Sequence, residues 1–180
     1  MADERAFKAE QRGVAIGMAS ALLLTIVVLG LVAFATHGRS VSPFPQRFQD
    51  ALRLDLLVIL WVAAGIANVA RLRFFSEQDI AGSGGQQASE RVRIANAILE
   101  NSFEQAVLAI VTHLIVAATF AGSTPLVAAL ACLFAIGRLL FWTGYKRGAS
   151  GRAFGFALTF YPSVVALLAC ALAALVELLR

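Results

Sequence analysis

The chain has 180 residues, 59% of them hydrophobic and 14% charged, with a mean hydropathy of +0.79. That composition excludes an ordinary soluble globular domain and leaves an integral membrane protein. The net charge of +4 does not point to nucleic acid, because the basic residues sit at the ends of apolar stretches, where lysine and arginine orient membrane helices.

A helix needs about 20 mostly apolar residues to cross a bilayer. Five stretches qualify, at roughly 13–36, 54–73, 95–120, 124–145 and 153–178, so the expected fold is all-α. Arg5, Lys8 and Arg12 precede the first. Its "AFA" at 33–35 has the form of a signal-peptidase site, but the apolar run exceeds a secretory core and Asp3, Glu4 and Glu10 dilute the basic lead-in; an uncleaved anchor is expected. "HGRSVSPFPQRFQD" then reads as an irregular crossing of the outer surface, with the second span opening near Asp50. The chain thus divides into 1–49 and a main unit, 50–180.

The segment "SEQDIAGSGGQQASE", 76–90, is rich in Gly, Ser and Gln and reads as a flexible connector. Arg71, Arg73, Arg91 and Arg93 bracket it, and Lys146, Arg147 and Arg152 fill the loop before the last span. Alternating helices put all of these on the side of the N-terminus, which the positive-inside rule makes cytoplasmic; Arg39, Arg47 and Arg53 vote the other way. The short "AGSTP", 121–125, makes the third and fourth spans antiparallel neighbours. Pro162 predicts a kink in the last.

Polar residues inside membrane helices are expensive and mark function. In the third span, "ENSFEQ" at 100–105 opens an apolar run. Residues turn by about 100° each, so Arg93, Glu100 and Glu104 fall within roughly 40° of one another, flanked by Asn101 and Gln105, while His113 points nearly opposite. In the fourth span, Arg138, Phe141 and Tyr145 form a second stripe, with Arg138 roughly 10 Å inside the Tyr145 end. An arginine at that depth needs an anionic partner, and Glu104, at comparable depth on the neighbouring helix, is the predicted one. Arg152 falls in the first turn of the last span, where free amides already favour an anion. Together these residues predict a site for a small, polar, anionic ligand beside an apolar wall. Each terminal arginine alone can equally be an interfacial anchor. Cys132 and Cys170 lie in apolar stretches, and neither they nor His37 and His113 have metal-ligand spacing.

Three blocks then resemble the MAPEG family, the membrane-associated proteins of eicosanoid and glutathione metabolism. "LENSFEQAVL" is similar to its Asn-x-x-Glu-Gln signature, "GRLLFWTGY" followed by "GRAFGF" to its arginine and aromatic block, and "ANVARLRFF" to the end of its first helix. The resemblance covers roughly 50–180 and implies a four-helix bundle, here with one additional N-terminal transmembrane helix, of the type found in bacterial inner membranes. It implies a homotrimer that binds glutathione between subunits near the cytoplasmic side and acts on a hydrophobic small molecule or lipid. Carried over, Arg71, Arg93, Asn101, Glu104, Gln105, Arg138, Phe141 and Tyr145 hold glutathione as co-substrate, and Arg152 stabilises its thiolate. Two positions depart: Ala97 stands where many members carry arginine, with Arg93 one turn away, and Phe141 where the usual residue is tyrosine. The implied activity is a glutathione transferase or peroxidase. A non-catalytic lipid- or partner-binding member, and a small transporter using the buried charges, are the alternatives.

Overall fold

The computed structural model describes residues 2–38, 41–82 and 88–180. Among these there is no strand, and the helices are α1 (Ala2–Thr36), α2 (Phe44–Leu54), α3 (Leu56–Phe74), α4 (Glu90–Thr119), α5 (Thr124–Gly144) and α6 (Gly148–Leu178). Four helical runs are long and apolar enough to cross a membrane: Glu4–Thr36, Phe44–Phe74, Glu90–Thr119 and Thr124–Leu178. The last holds two of the five expected stretches, because a 3-10 turn at Tyr145–Arg147 folds α6 back along α5. Gly148 makes that reversal possible with φ +85°, a conformation that L side chains rarely adopt. Pro162 lies buried within α6, which continues to Leu178 as one element.

Glycine also sets the spacing of the α5/α6 pair. A Cβ on Gly155 would strike the Phe141 backbone nitrogen and come within 2.8 Å of the Gly137 carbonyl oxygen; one on Gly144 would strike the Gly151 carbonyl. Backbones this close leave nothing flexible to give way. Gly155→Ala is therefore expected to destabilise the bundle by about 1–3 kcal/mol or more, seen as a lower midpoint of thermal unfolding in detergent. An unchanged midpoint would mean that the two helices slide apart at little cost.

α1 buries a single stripe, Ala21, Thr25 and Leu29, against the bundle and leaves Ile16, Leu23, Ile26 and Leu31 outward, as a lipid-facing helix should. Its seat on α6 is specified by sequence that the periodicity reading passed over. Gly13 and Gly17 stand four apart, and a Cβ at either would meet Ser150 Cβ at 2.7 Å or the Phe154 nitrogen at 3.1 Å. One turn earlier, Glu10 accepts hydrogen bonds from the Ser150 N–H at 2.9 Å and the Ser150 hydroxyl at 3.1 Å. α1 thus supplies an acceptor for an N-terminal amide that α6 cannot satisfy itself.

Among its described residues, the proline-containing segment after α1 is irregular as expected only as far as Pro43. From Phe44 it is the helix α2, with Pro45 in its first turn, where a missing N–H costs nothing. Arg47 explains part of the discordant charge vote. It donates to the carbonyls of Ala117, at 3.1 Å, and Ala121, at 3.3 Å, where the end of α4 presents unpaired acceptors. Arg53 sits 3.5 Å from Asp50, and Arg39 lies outside the described residues. In the connector, residues 83–87 lie outside the described residues, but its ends are tied. Asp79 accepts from the Ser76 hydroxyl at 2.6 Å and the Ser89 N–H at 2.8 Å, and these bonds hold its carboxyl below the usual range.

Candidate functional site

The helix directions bring the C-terminal ends of α3 and α5 and the N-terminal ends of α4 and α6 to one end of the bundle, with the start of α1 beside them. This basic end gathers Arg71, Arg91, Lys146 and Arg152 around two clefts. The narrower, of ≈ 400 Å³, is lined by Val14 and Met18 of α1, Ala97 and Asn101 of α4, Phe141 and Tyr145 at the end of α5, and Ala149, Arg152, Ala153 and Phe156 of α6. Among these described lining residues Arg152 carries the only charge. Its guanidinium lies 4.4 Å from the centre of the Tyr145 ring, a cation–π contact that fixes an otherwise mobile side chain over the cleft.

Arg138 lies behind this wall, 1% exposed. The predicted pair with Glu104 does not form. Arg138 instead donates to Asn101 Oδ1 at 2.9 Å, to the Ser102 hydroxyl at 3.4 Å and to the Thr159 hydroxyl at 2.6 Å, and stands 4.5 Å over the Phe141 ring. The reason is helical phase. Asn101 and Gln105 share one face of α4 and turn inward, whereas Glu100 and Glu104 share the next and are exposed. Treating all of them as one polar face merged two sides of the helix. The buried Arg138 therefore has neutral partners only, and its Nε has none among the described residues. Three hydrogen bonds and two ring faces offset part of the cost of burying a cation, without neutralising it.

The other sequence-predicted residues divide. Arg71 donates to Asn68 Oδ1 at 3.0 Å and lines the wider cleft of ≈ 900 Å³ with Glu90, Arg91, Trp142 and Lys146; Tyr145 belongs to both clefts. Arg93 and Glu104 are exposed and line neither. Gln105 is buried, with its Oε1 unpartnered among the described residues. One chain thus unites Asn101, Arg138, Phe141, Tyr145 and Arg152, and leaves Arg71, Arg93 and Glu104 on other surfaces.

Sequence reasoning missed Ser102, Thr159, Val14, Met18 and Phe156. Thr159 had a signal: seven residues after Arg152, it lies on the same face of α6, two turns deeper. His113, on the side of α4 opposite the polar stripe, pairs with Asp55 at 2.5 Å, the two being 1% and 5% exposed. This dyad joins α4 to the α2–α3 junction in the other half of the bundle.

The sequence model of the MAPEG family matches residues 51–172, more than half the chain. Comparison with curated proteins and with solved structures found no match. The matched span includes every residue of the narrower cleft except Val14 and Met18. The chain belongs to the MAPEG family.

Proposed function

We propose that this protein is a membrane-bound glutathione transferase or peroxidase, which uses the thiol of glutathione on a hydrophobic electrophile that reaches the site from the bilayer. The observation that carries the reading is the charge pattern of the narrower cleft: a single ring-stacked cation, Arg152, faces Asn101 and Tyr145, with the uncompensated Arg138 behind them. Such a cleft favours an anionic ligand, and a cation beside sulfur raises the fraction of thiolate at neutral pH. The tripeptide dissolves in the aqueous phase and the electrophile in hydrocarbon. A site at the basic end of the bundle lets the two meet, so the bilayer supplies much of the entropy of bringing them together.

In this reading the protein works as a homotrimer. α4 presents Glu100, Glu104 and Arg93 outward, and Glu104 lies midway along a helix long enough to span the membrane. A carboxylate facing lipid at that depth costs about 3 kcal/mol, so a neighbouring subunit covers the face. The same neighbour brings Arg71 and Glu104 towards a shared ligand that one chain alone cannot surround. The basic end and the N-terminus face the cytoplasm, in a bacterial inner membrane.

The test is the ultraviolet absorbance of thiolate as glutathione is titrated into the detergent-purified protein. A saturable signal at neutral pH is expected. Ala97 and Phe141 both line the cleft, where many members carry arginine and tyrosine, and this favours a second reading as a lipid- or partner-binding member. A folded protein that gives no thiolate signal at any glutathione concentration would select that second reading.

A further inference from the structure

We infer that α1, which lies outside the span matched by the family, forms one wall of the subsite for the apolar co-substrate, with Val14 and Met18 setting its width. The inference rests on the glutathione reading above. α1 is held at the site by features built for that contact: the Glu10 carboxylate on the first turn of α6, and the close approach at Gly13 and Gly17. Val14 and Met18 follow on the same flank of the helix, four residues apart, and project into the cleft that holds Arg152.

The lining is segregated by chemistry. Asn101, Tyr145 and Arg152 supply its polar groups, from α4, the 3-10 turn after α5 and the start of α6. Val14 and Met18 of α1, with Phe141 of α5 and Phe156 of α6, supply the large apolar side chains close to them. A thiolate held by Arg152 therefore has an aliphatic wall within one cleft of ≈ 400 Å³, near the small end of ligand sites. In so small a space the unbranched methionine sets how much of an apolar chain fits beside the reacting carbon. For an α,β-unsaturated aldehyde the reaction balances without a further reagent. The sulfur forms a bond to the β-carbon, the π pair moves to give the enolate, and the α-carbon takes back the proton that the thiol released. The alkyl tail beyond the β-carbon is the part that meets α1.

The experiment measures kcat/KM with glutathione for a homologous series of 2-alkenals of increasing length, on the full chain in detergent. Wild type is compared with Met18→Ala, Met18→Trp and Leu23→Ala, the last an equivalent truncation on the lipid-facing side of α1, where Leu23 is 64% exposed. Met18→Ala is expected to raise the ratio of long-chain to short-chain kcat/KM by roughly tenfold or more, and Met18→Trp to lower it by as much, since one methylene in an apolar pocket is worth that discrimination. Leu23→Ala should leave the ratio unchanged. An identical length profile in all four proteins, or a uniform loss in Met18→Ala and Leu23→Ala alike, would reduce α1 to a brace and overturn the inference. Conjugation absent from wild type while glutathione thiolate still forms also overturns it. Absence of both signals overturns the glutathione reading itself.

Discussion

Arg152→Ala is expected to abolish the thiolate absorbance of bound glutathione and to lower kcat by roughly a hundred- to a thousandfold, the loss typical of removing one preorganised charge-stabilising donor. Because α6 begins at Gly148, Arg152 projects from the start of its second turn and not, as expected, from its first, and its guanidinium rests on the Tyr145 ring at 4.4 Å. The stack matters because an arginine free to swing into water would be screened, whereas one pinned in a half-apolar cleft acts at low effective dielectric. Lowering the thiol pKa requires only that the cation interact more strongly with thiolate than with thiol. Arg152→Lys keeps the charge but loses the planar face that sits on Tyr145, so a partial signal and an intermediate rate are expected. Should Arg152→Ala retain the full thiolate absorbance, activation would belong to Tyr145 or Arg138 instead, and the role given to Arg152 would be withdrawn.

Membrane helices are the part of this fold most legible in sequence, because a run of apolar residues of bilayer length has few other uses. All five apolar stretches lie in helices; only their count as continuous runs differs, since the three-residue 3-10 turn at Tyr145–Arg147 joins two of them into one run. Only the second half of the segment before Asp50, from Phe44, is helical where an irregular course is expected, and the reason is physical. Proline signals a break inside a helix but a beginning in the first turn, and Pro45 lies at the beginning of α2.

The site was legible in its residues and not in its pairings. The phase of a helix relative to its neighbours is set by packing, and small residues set the packing here. Gly137, Gly144, Gly151 and Gly155 draw α5 onto α6 until Arg138 reaches Thr159. An arginine stripe and a carboxylate stripe at similar depth do not reveal whether they face each other. On α4 the step from Asn101 to Glu104 is enough to send one inward and the other outward. α1 posed the opposite problem. Its composition is that of a plain anchor, yet Gly13, Gly17 and Glu10 seat it on α6, so that two of its apolar side chains become part of a cleft.

Arg138→Met separates binding from scaffolding, because the two roles predict opposite signs. Methionine approximates the arginine stem and removes the charge. In the ligand-free protein that charge is buried with neutral partners only, so its removal relieves a desolvation cost. Few bonds are missed. The Ser102 hydroxyl keeps its bond to the Ile98 carbonyl at 2.7 Å, and that of Thr159 its bond to the Phe156 carbonyl, also at 2.7 Å. Of the three acceptors, Asn101 Oδ1 alone is left without another hydrogen bond among the described residues, and Asn101 borders the open cleft, where water can replace the lost one. The thermal midpoint in detergent is therefore expected to hold or rise. Affinity for glutathione moves the other way. Without Arg138, Asn101 is no longer held in one orientation, and the positive field behind the cleft is gone; a charge-assisted contact of this kind is worth about 1.5–3 kcal/mol, or roughly ten- to a hundredfold in Kd by calorimetric titration. Arg138→Lys restores the charge as a point on a flexible stem that cannot span Asn101 and Thr159 together, so it should recover part of the affinity. A fall in the midpoint with unchanged Kd would instead make Arg138 a clamp between α4, α5 and α6, and would detach the buried cation from the ligand altogether.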